Sequence, residues 1–192
     1  MIDIHSHILP MIDDGASSVE MALDLLSMAY DDGTDAIVLT PHYADSYGFD
    51  NPYDKIKMLF DDLQFIVKQE RIPIQLYLGT EYLFSSPEHF LQHQHEIARI
   101  NQTQYLLMEF FFDVTEDQVI EAVDYVLKSG YIPIIAHPER YECIQSSFQV
   151  VEDVIHQGAL LQMNKGSITG KYGHKAMKTV FQMLAHNNIH LI

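Results

Sequence analysis

Histidines and carboxylates recur at the ends of short apolar runs along this 192-residue chain. The first run closes in His5-Ser6-His7, the next in His42, a third in Glu81, a fourth contains Glu109 and a fifth closes in His137. His5 and His7 are two apart in an extended segment, so both side chains leave the same face and can bind one ion. Asp14 follows in the turn Ile12-Asp13-Asp14-Gly15. Glu81 ends the run Leu76-Tyr77-Leu78-Gly79-Thr80, and Glu109 lies inside Leu106-Leu107-Met108-Glu109-Phe110-Phe111. A carboxylate in such company is costly to bury without a cation. Four histidines and three carboxylates exceed the needs of one ion, so the set predicts two or three metals. Nitrogen and oxygen donors without thiolate favour Mn, Zn or Fe. Such a cluster acidifies a bridging water and clamps phosphate oxygens. Arg140, just past His137 in His137-Pro138-Glu139-Arg140, then holds the phosphate through a bidentate pair.

Each residue alone has a plainer reading. Asp14 can stabilise a turn before a helix, His42 can be a hydrogen-bonded core histidine, and Arg140 can pair at the surface with Glu139 or Glu142. Together they converge on a phosphoesterase. Cys143 is read as structural: a cysteine phosphatase needs a C-x-x-x-x-x-R loop, with an arginine six residues on, and no arginine follows Arg140. His89, His93 and His95 lie in a polar stretch and are read as surface residues. The run from Phe110 to Phe112, with Tyr43 and Tyr47, is read as core packing or as the wall of a pocket for an aromatic leaving group.

The apolar runs that carry these residues predict strands at 2–7, 36–42, 74–81, 105–111, 132–137, 159–164 and 189–192. Their continuous Ile/Val/Leu character suits parallel strands buried on both faces. Helices separate them. A capping box at Ser17-x-x-Glu20 opens the first, which stops at Gly33; Asn51-Pro52 opens the second; Thr115-x-x-Gln118 opens another that stops near Gly130. Further helices are predicted near 87–97, 150–156 and 175–185. Alternating strands and helices without a linker predict one α/β domain over 1–192. A (β/α) barrel collects strand C-terminal ends on one face, whereas an open sheet would spread these residues along a line.

The formal net charge is −16, with 11 Lys+Arg against 27 Asp+Glu. That argues against nonspecific binding to nucleic acid or anionic lipid. It also means that a phosphorylated substrate needs local positive charge, which bound metal supplies. No apolar run is long enough to cross a membrane, no signal peptide is visible, and the single cysteine suits a reducing cytoplasm.

The motifs M-I-D-I-H-S-H-I-L-P-x-I-D-D-G, T-P-H, G-T-E-Y, L-x-E-F and A-H-P-E-R-Y resemble those of the PHP-domain (polymerase and histidinol phosphatase superfamily) protein-tyrosine phosphatases of bacterial capsule and exopolysaccharide loci. The resemblance runs along the whole chain. It implies a distorted TIM-like (β/α)7 barrel and a site of up to three divalent ions, usually Mn2+, that hydrolyses phosphotyrosine on the tail of a membrane-associated tyrosine kinase. It matches His5, His7, Asp14, His42, Glu81, Glu109 and His137 to metal ligands and Arg140 to a phosphate-binding residue. Asp3, on the His5 face, is expected to support a ligand. Members continue past the seventh strand with a motif like A-S-D-x-H. Here the sequence stops at Ile192, inside that strand, so the resemblance implies that the ions held by His5 and His7 and by Asp14 and His42 each lack a ligand, with weakened metal binding and turnover. Other readings are a histidinol-phosphate or small phosphomonoester phosphatase, an amidohydrolase-type enzyme, and a non-catalytic phosphotyrosine-binding form.

Overall fold

The computed structural model describes residues 1–192 and shows an α/β protein with parallel strand pairing. The chain forms two compact units, Met1–Tyr82 with Gln92–Thr103 and Leu83–Leu91 with Gln104–Ile192. No helix is long and apolar enough to cross a membrane.

The first unit runs through β1 (Ile2–Ser6), α1 (Val19–Asp31), β2 (Ala36–Leu39), β3 (His42–Tyr43), α2 (Tyr53–Gln69), β4 (Gln75–Leu78) and the start of β5 (Glu81–Leu83). β1, β2 and β4 pair in that order, all parallel. All four residues of β2 are buried, as their unbroken apolar run requires. On α2 the buried positions Ile56, Phe60, Leu63 and Val67 recur every three or four residues, one face of a helix. They meet Leu26, Ile37 and Leu39 in the core. α1 starts one residue later than the capping box placed it. Ser18, not Ser17, is the N-cap: it is extended and its side chain accepts from the Met21 N–H at 3.2 Å, while Ser17 Oγ donates to Met21 Sδ at 3.5 Å.

Two predicted strands are each interrupted, and the interruptions matter for the site. The strand expected at 36–42 breaks at Thr40-Pro41, where proline has no N–H to donate. Thr40 instead binds Ser6: its N–H donates to the Ser6 carbonyl at 2.8 Å, and its Oγ1 accepts from the Ser6 N–H at 3.0 Å. The strand expected at 74–81 breaks at Gly79-Thr80, where a Cβ on Gly79 would sit 3.2 Å from Thr40 and Val38. Past the breaks the chains re-pair, β3 with β5, in a register that sets His42 beside Glu81 and Tyr43 beside Tyr82.

From α3 (Pro87–His93) the chain passes, in the second unit, through β6 (Tyr105–Glu109), α4 (Glu116–Lys128), β7 (Ile132–Ala136), α5 (Glu142–Ser146), α6 (Gln149–Gln157), β8 (Leu160–Gln162), α7 (Lys165–Ile168) and α8 (His174–Ala185). β6, β7 and β8 are parallel neighbours. The Thr115/Gln118 capping box forms as expected, and α4 buries Val119, Ala122, Val123 and Val126. Residues 189–192 form an isolated parallel bridge, Gln162 with Leu191, instead of a full strand. His190 Nδ1 accepts from the Leu161 N–H at 3.2 Å and so occupies a donor that a longer ladder would use.

Tyr141, fully buried, ties the ends of β6 and β7 together. Its hydroxyl donates to the Ala136 carbonyl at 2.9 Å and accepts from the Phe110 N–H at 3.1 Å. Tyr141→Phe removes both bonds in a dry setting and is expected to lower unfolding stability by about 1–3 kcal/mol. Urea unfolding checks this, and an unchanged midpoint would contradict the role.

Candidate metal centre

The register of β3 on β5 and the end of β1 bring three imidazoles to one carboxylate oxygen. Glu81 Oε2 lies 3.0 Å from His5 Nε2, 3.1 Å from His7 Nε2 and 3.3 Å from His42 Nδ1. The Glu81 side chain is 1% exposed. Three ring nitrogens gathered on a buried carboxylate are the donor set that a divalent cation of borderline hardness requires, so the residues fit such an ion. Asp14 is looser: its side chain is 68% exposed, with Oδ1 3.6 Å from His42 Nε2 and 3.9 Å from His7 Nδ1. His5, His7 and Glu81, and separately His7, Asp14 and His42, present donor atoms within 4.8 Å of one another.

Asp13 holds this arrangement and was missed as a functional residue in the sequence, where it counted only as part of a turn. Its side chain is 1% exposed. Oδ2 accepts from His7 Nδ1 at 2.8 Å and from the His42 N–H at 3.1 Å; Oδ1 accepts from the Gly15 N–H at 3.1 Å. With Nδ1–H on Asp13, His7 turns Nε2 to Glu81, the tautomer a ligating histidine needs. Burial disfavours a charged His7 ring, yet its hydrogen bonds to Asp13 and Glu81 and their charges outweigh it and raise the pKa to about 10. Burial likewise favours a neutral Asp13, but His7 and the two backbone N–H groups hold its carboxyl below the usual range. A cation taking Nε2 therefore displaces a proton. The turn tolerates only glycine at position 15, because a Cβ there would stand 1.9 Å from the His7 carbonyl oxygen. The adjacent pair Asp-Asp-Gly was the available signal, since an Asx-type turn sends one carboxylate inward.

His42 is fixed from several sides. Its ring stacks on Phe49 at 5.4 Å and lies 4.4 Å from the His7 ring, and Asn51 Nδ2 donates to its carbonyl at 2.8 Å. Asp3, expected to support a ligand, meets His5 at the backbone. Asp3 Oδ1 accepts from the backbone N–H of His5 at 3.1 Å, at the irregularity of the β1–β2 register between Asp3 and Ser6. Tyr43 is 2% exposed, so it is core and not the wall of a pocket. Its hydroxyl donates to Glu96 Oε2 at 2.8 Å and lies 2.9 Å from His93 Nδ1.

In the second unit, Glu109 Oε2 and His137 Nε2, both buried, stand 3.7 Å apart. His137 leaves β7 in the left-handed region, at φ 34°, while its N–H keeps a 2.7 Å bond to the Gln162 carbonyl. Arg140 is half-buried between two rings, its guanidinium carbon 4.7 Å from the Phe112 centroid and 4.6 Å from that of Tyr172. It pairs with neither Glu139 nor Glu142, contrary to the surface-pair alternative. Cation–π contacts with both rings hold the guanidinium in place and leave its N–H groups to serve as donors to an anion. Glu139 is fully buried: Oε1 accepts from Ser167 Oγ at 2.6 Å and from the Asn164 N–H at 3.2 Å, which anchors α7 to the 138–140 turn. Burial raises the Cys143 thiol above its ordinary value, the opposite of what a nucleophile needs.

The sequence matches the family described as "Capsular polysaccharide synthesis, CpsB/CapC" over residues 1–192. It is similar to CapC of Staphylococcus aureus, with 32% identity over 192 residues that make up 100% of this chain and 75% of CapC. It is also similar to tyrosine-protein phosphatase YwqE of Bacillus subtilis (strain 168), with 31% identity over 194 residues, 100% of this chain and 75% of YwqE. A solved structure from work on YwqE of Bacillus subtilis and CpsB of Streptococcus pneumoniae, described as unique metal-dependent tyrosine phosphatases, superposes with a TM-score of 0.89. The match has 30% identity and covers 99% of this chain and 76% of that one.

The hydrogen bonds of Asp13 separate it from Asp3 experimentally. Asp13→Asn is expected to weaken divalent-cation binding about 10–100-fold in calorimetry, and Asp3→Asn to leave it essentially unchanged. Equal losses in both variants would assign the effect to general destabilisation.

Proposed function

Because the chain belongs to the CpsB/CapC family, we propose that it is a metal-dependent protein-tyrosine phosphatase. The observation that supports this best is the convergence of His5, His7 and His42 on the buried carboxylate of Glu81. In this reading residues 1–192 constitute one PHP phosphoesterase domain. His5, His7, Asp14, His42 and Glu81 hold divalent ions, and Glu109 with His137 ligates a further one. Mn2+ is the ion we favour, with Fe or Zn as alternatives that the same nitrogen and oxygen donors accept. Bound there, such ions supply Lewis-acid polarisation of phosphate oxygens and acidify water for attack at phosphorus.

The protein's own part is positioning. Asp13 fixes the His7 tautomer, and the Phe49 stack and Asn51 fix His42. Arg140, stacked between Phe112 and Tyr172 and free of carboxylate partners, keeps its edge N–H groups for two phosphate oxygens. Holding that planar cation in place in advance removes an ordering cost from substrate binding. The substrate we favour is the phosphotyrosine-bearing tail of a membrane-associated tyrosine kinase, met in the cytoplasm. The family's link to capsular polysaccharide synthesis supports that choice.

Phosphate release from a phosphotyrosine peptide by the purified chain, with Mn2+ and with chelator, tests the proposal. Release is expected with Mn2+, lost with chelator and in His7→Ala. Arg140→Ala is expected to raise KM about tenfold or more, and Arg140→Lys to recover only part of that, since an ammonium lacks the planar fork. Release that survives chelation, or no release at all, would refute the reading.

A further inference from the structure

Acidic residues are unevenly distributed along this chain. No Asp or Glu follows Asp153, whereas Lys165, Lys171, Lys175 and Lys178 cluster within that final stretch of a chain whose net charge is −16. Lys171, Lys175 and Lys178 are exposed and pair with no carboxylate. The segment that carries them is built, not slack. Glu139 anchors its start through Ser167 and Asn164. Backbone bonds Gly170 N–H to Ser167 O at 3.2 Å and Lys171 N–H to Gly166 O at 3.0 Å close the turn after α7. The same segment reaches Arg140. The Arg140 guanidinium carbon lies over the Tyr172 ring, 4.6 Å from its centroid, and Lys171 Nζ stands 5.4 Å from the same centroid. Gly166 permits this: a Cβ there would come within 3.1 Å of both the Lys171 and Tyr172 side chains. Arg140, Tyr172 and Lys171 thus form a continuous cationic and aromatic strip.

We propose that the strip formed by 165–178 is a docking surface for anionic side chains that flank a phosphotyrosine, which makes acidic or multiply phosphorylated peptides the preferred substrates. The proposal rests on the phosphatase reading for its choice of substrate. The chemistry follows from range. Charges beyond about 8 Å are largely screened at physiological ionic strength, so nearby lysines govern a docked peptide while most of the net negative charge does not. The sign of the salt effect is then decisive. If the lysines dominate, added salt weakens binding of an anionic peptide; if the net charge of −16 dominates, added salt strengthens it.

The experiment uses the Mn2+-loaded chain, wild type and Lys171→Ala/Lys175→Ala/Lys178→Ala, with two phosphotyrosine peptides, one flanked by Glu and Asp and one by Ala and Ser. KM is measured at low and at raised NaCl, with free phosphotyrosine as control. Non-hydrolysable phosphonate versions of both peptides are titrated by fluorescence anisotropy. Wild type is expected to favour the acidic peptide about fivefold at low salt and to lose that preference as salt rises. The triple variant is expected to show no preference, with kcat/KM for free phosphotyrosine within about twofold of wild type. The proposal is overturned if wild type shows no preference, if salt tightens the acidic peptide, or if the variant loses free phosphotyrosine equally. Should nothing be hydrolysed, lysine- and salt-dependent anisotropy would sustain the docking surface while refuting the phosphatase reading, and its absence would refute both.

Discussion

The buried carboxylate of Glu81 constrains much of the first unit. A carboxylate that is 1% exposed is untenable in an apolar setting unless donors or a cation surround it. Here three imidazoles approach a single oxygen, delivered by two separate pieces of backbone. His5 and His7 come from the end of β1, and His42 comes from β3, which pairs with β5 beyond the break at Thr40-Pro41. The register survives the interruption: Leu39 faces Leu78 before it, and His42 faces Glu81 beyond it. The reciprocal bonds between Thr40 and Ser6 hold the break open in a dry interior.

Around that oxygen the supporting residues do different physical work. Asp13 selects a tautomer, Phe49 limits ring rotation of His42, and Gly15 lets a turn press against the His7 backbone. None of these is among the proposed ligands, yet each limits the freedom of one that is. Ordering ligands before an ion arrives lowers the entropic cost of binding it.

In the second unit the central constraint is a cation in place of a carboxylate. Arg140 lies over the rings of Phe112 and Tyr172 and has no acidic partner to neutralise it. Glu139, its sequence neighbour, points the other way into the interior, where it fastens α7. Adjacent residues of opposite charge would ordinarily be expected to pair at the surface. The tertiary structure separates them, one as a brace and one as an exposed-edge donor. Tyr141, the next residue, links the ends of β6 and β7. The short stretch from His137 to Tyr141 thus combines a metal-type donor, a brace, an anion donor and a strand tie.

Much of this was legible in the sequence for simple reasons. Continuous apolar runs such as Ala36-Ile37-Val38-Leu39 can only be doubly buried strands, and α2 shows its buried face through spacing alone. His5, His7, His42 and Glu81 stood out because polar groups at the ends of apolar runs demand an explanation. What spacing could not give was any contact distant in sequence and dictated by a turn. The support that Asp13 gives His7 depended on which carboxylate the Asp-Asp-Gly turn sends inward, Asp13 or Asp14, and the choice of Ser18 over Ser17 on where the backbone leaves the extended region. The stack of Tyr172 on Arg140 joins residues 32 positions apart, through glycines and a buried glutamate that no local pattern marks. Sequence determined the strands, the helices and the chemical types at their ends, because those follow from local periodicity and burial cost. Tertiary structure alone decided which neighbour each polar group faces, because that depends on how distant segments pack.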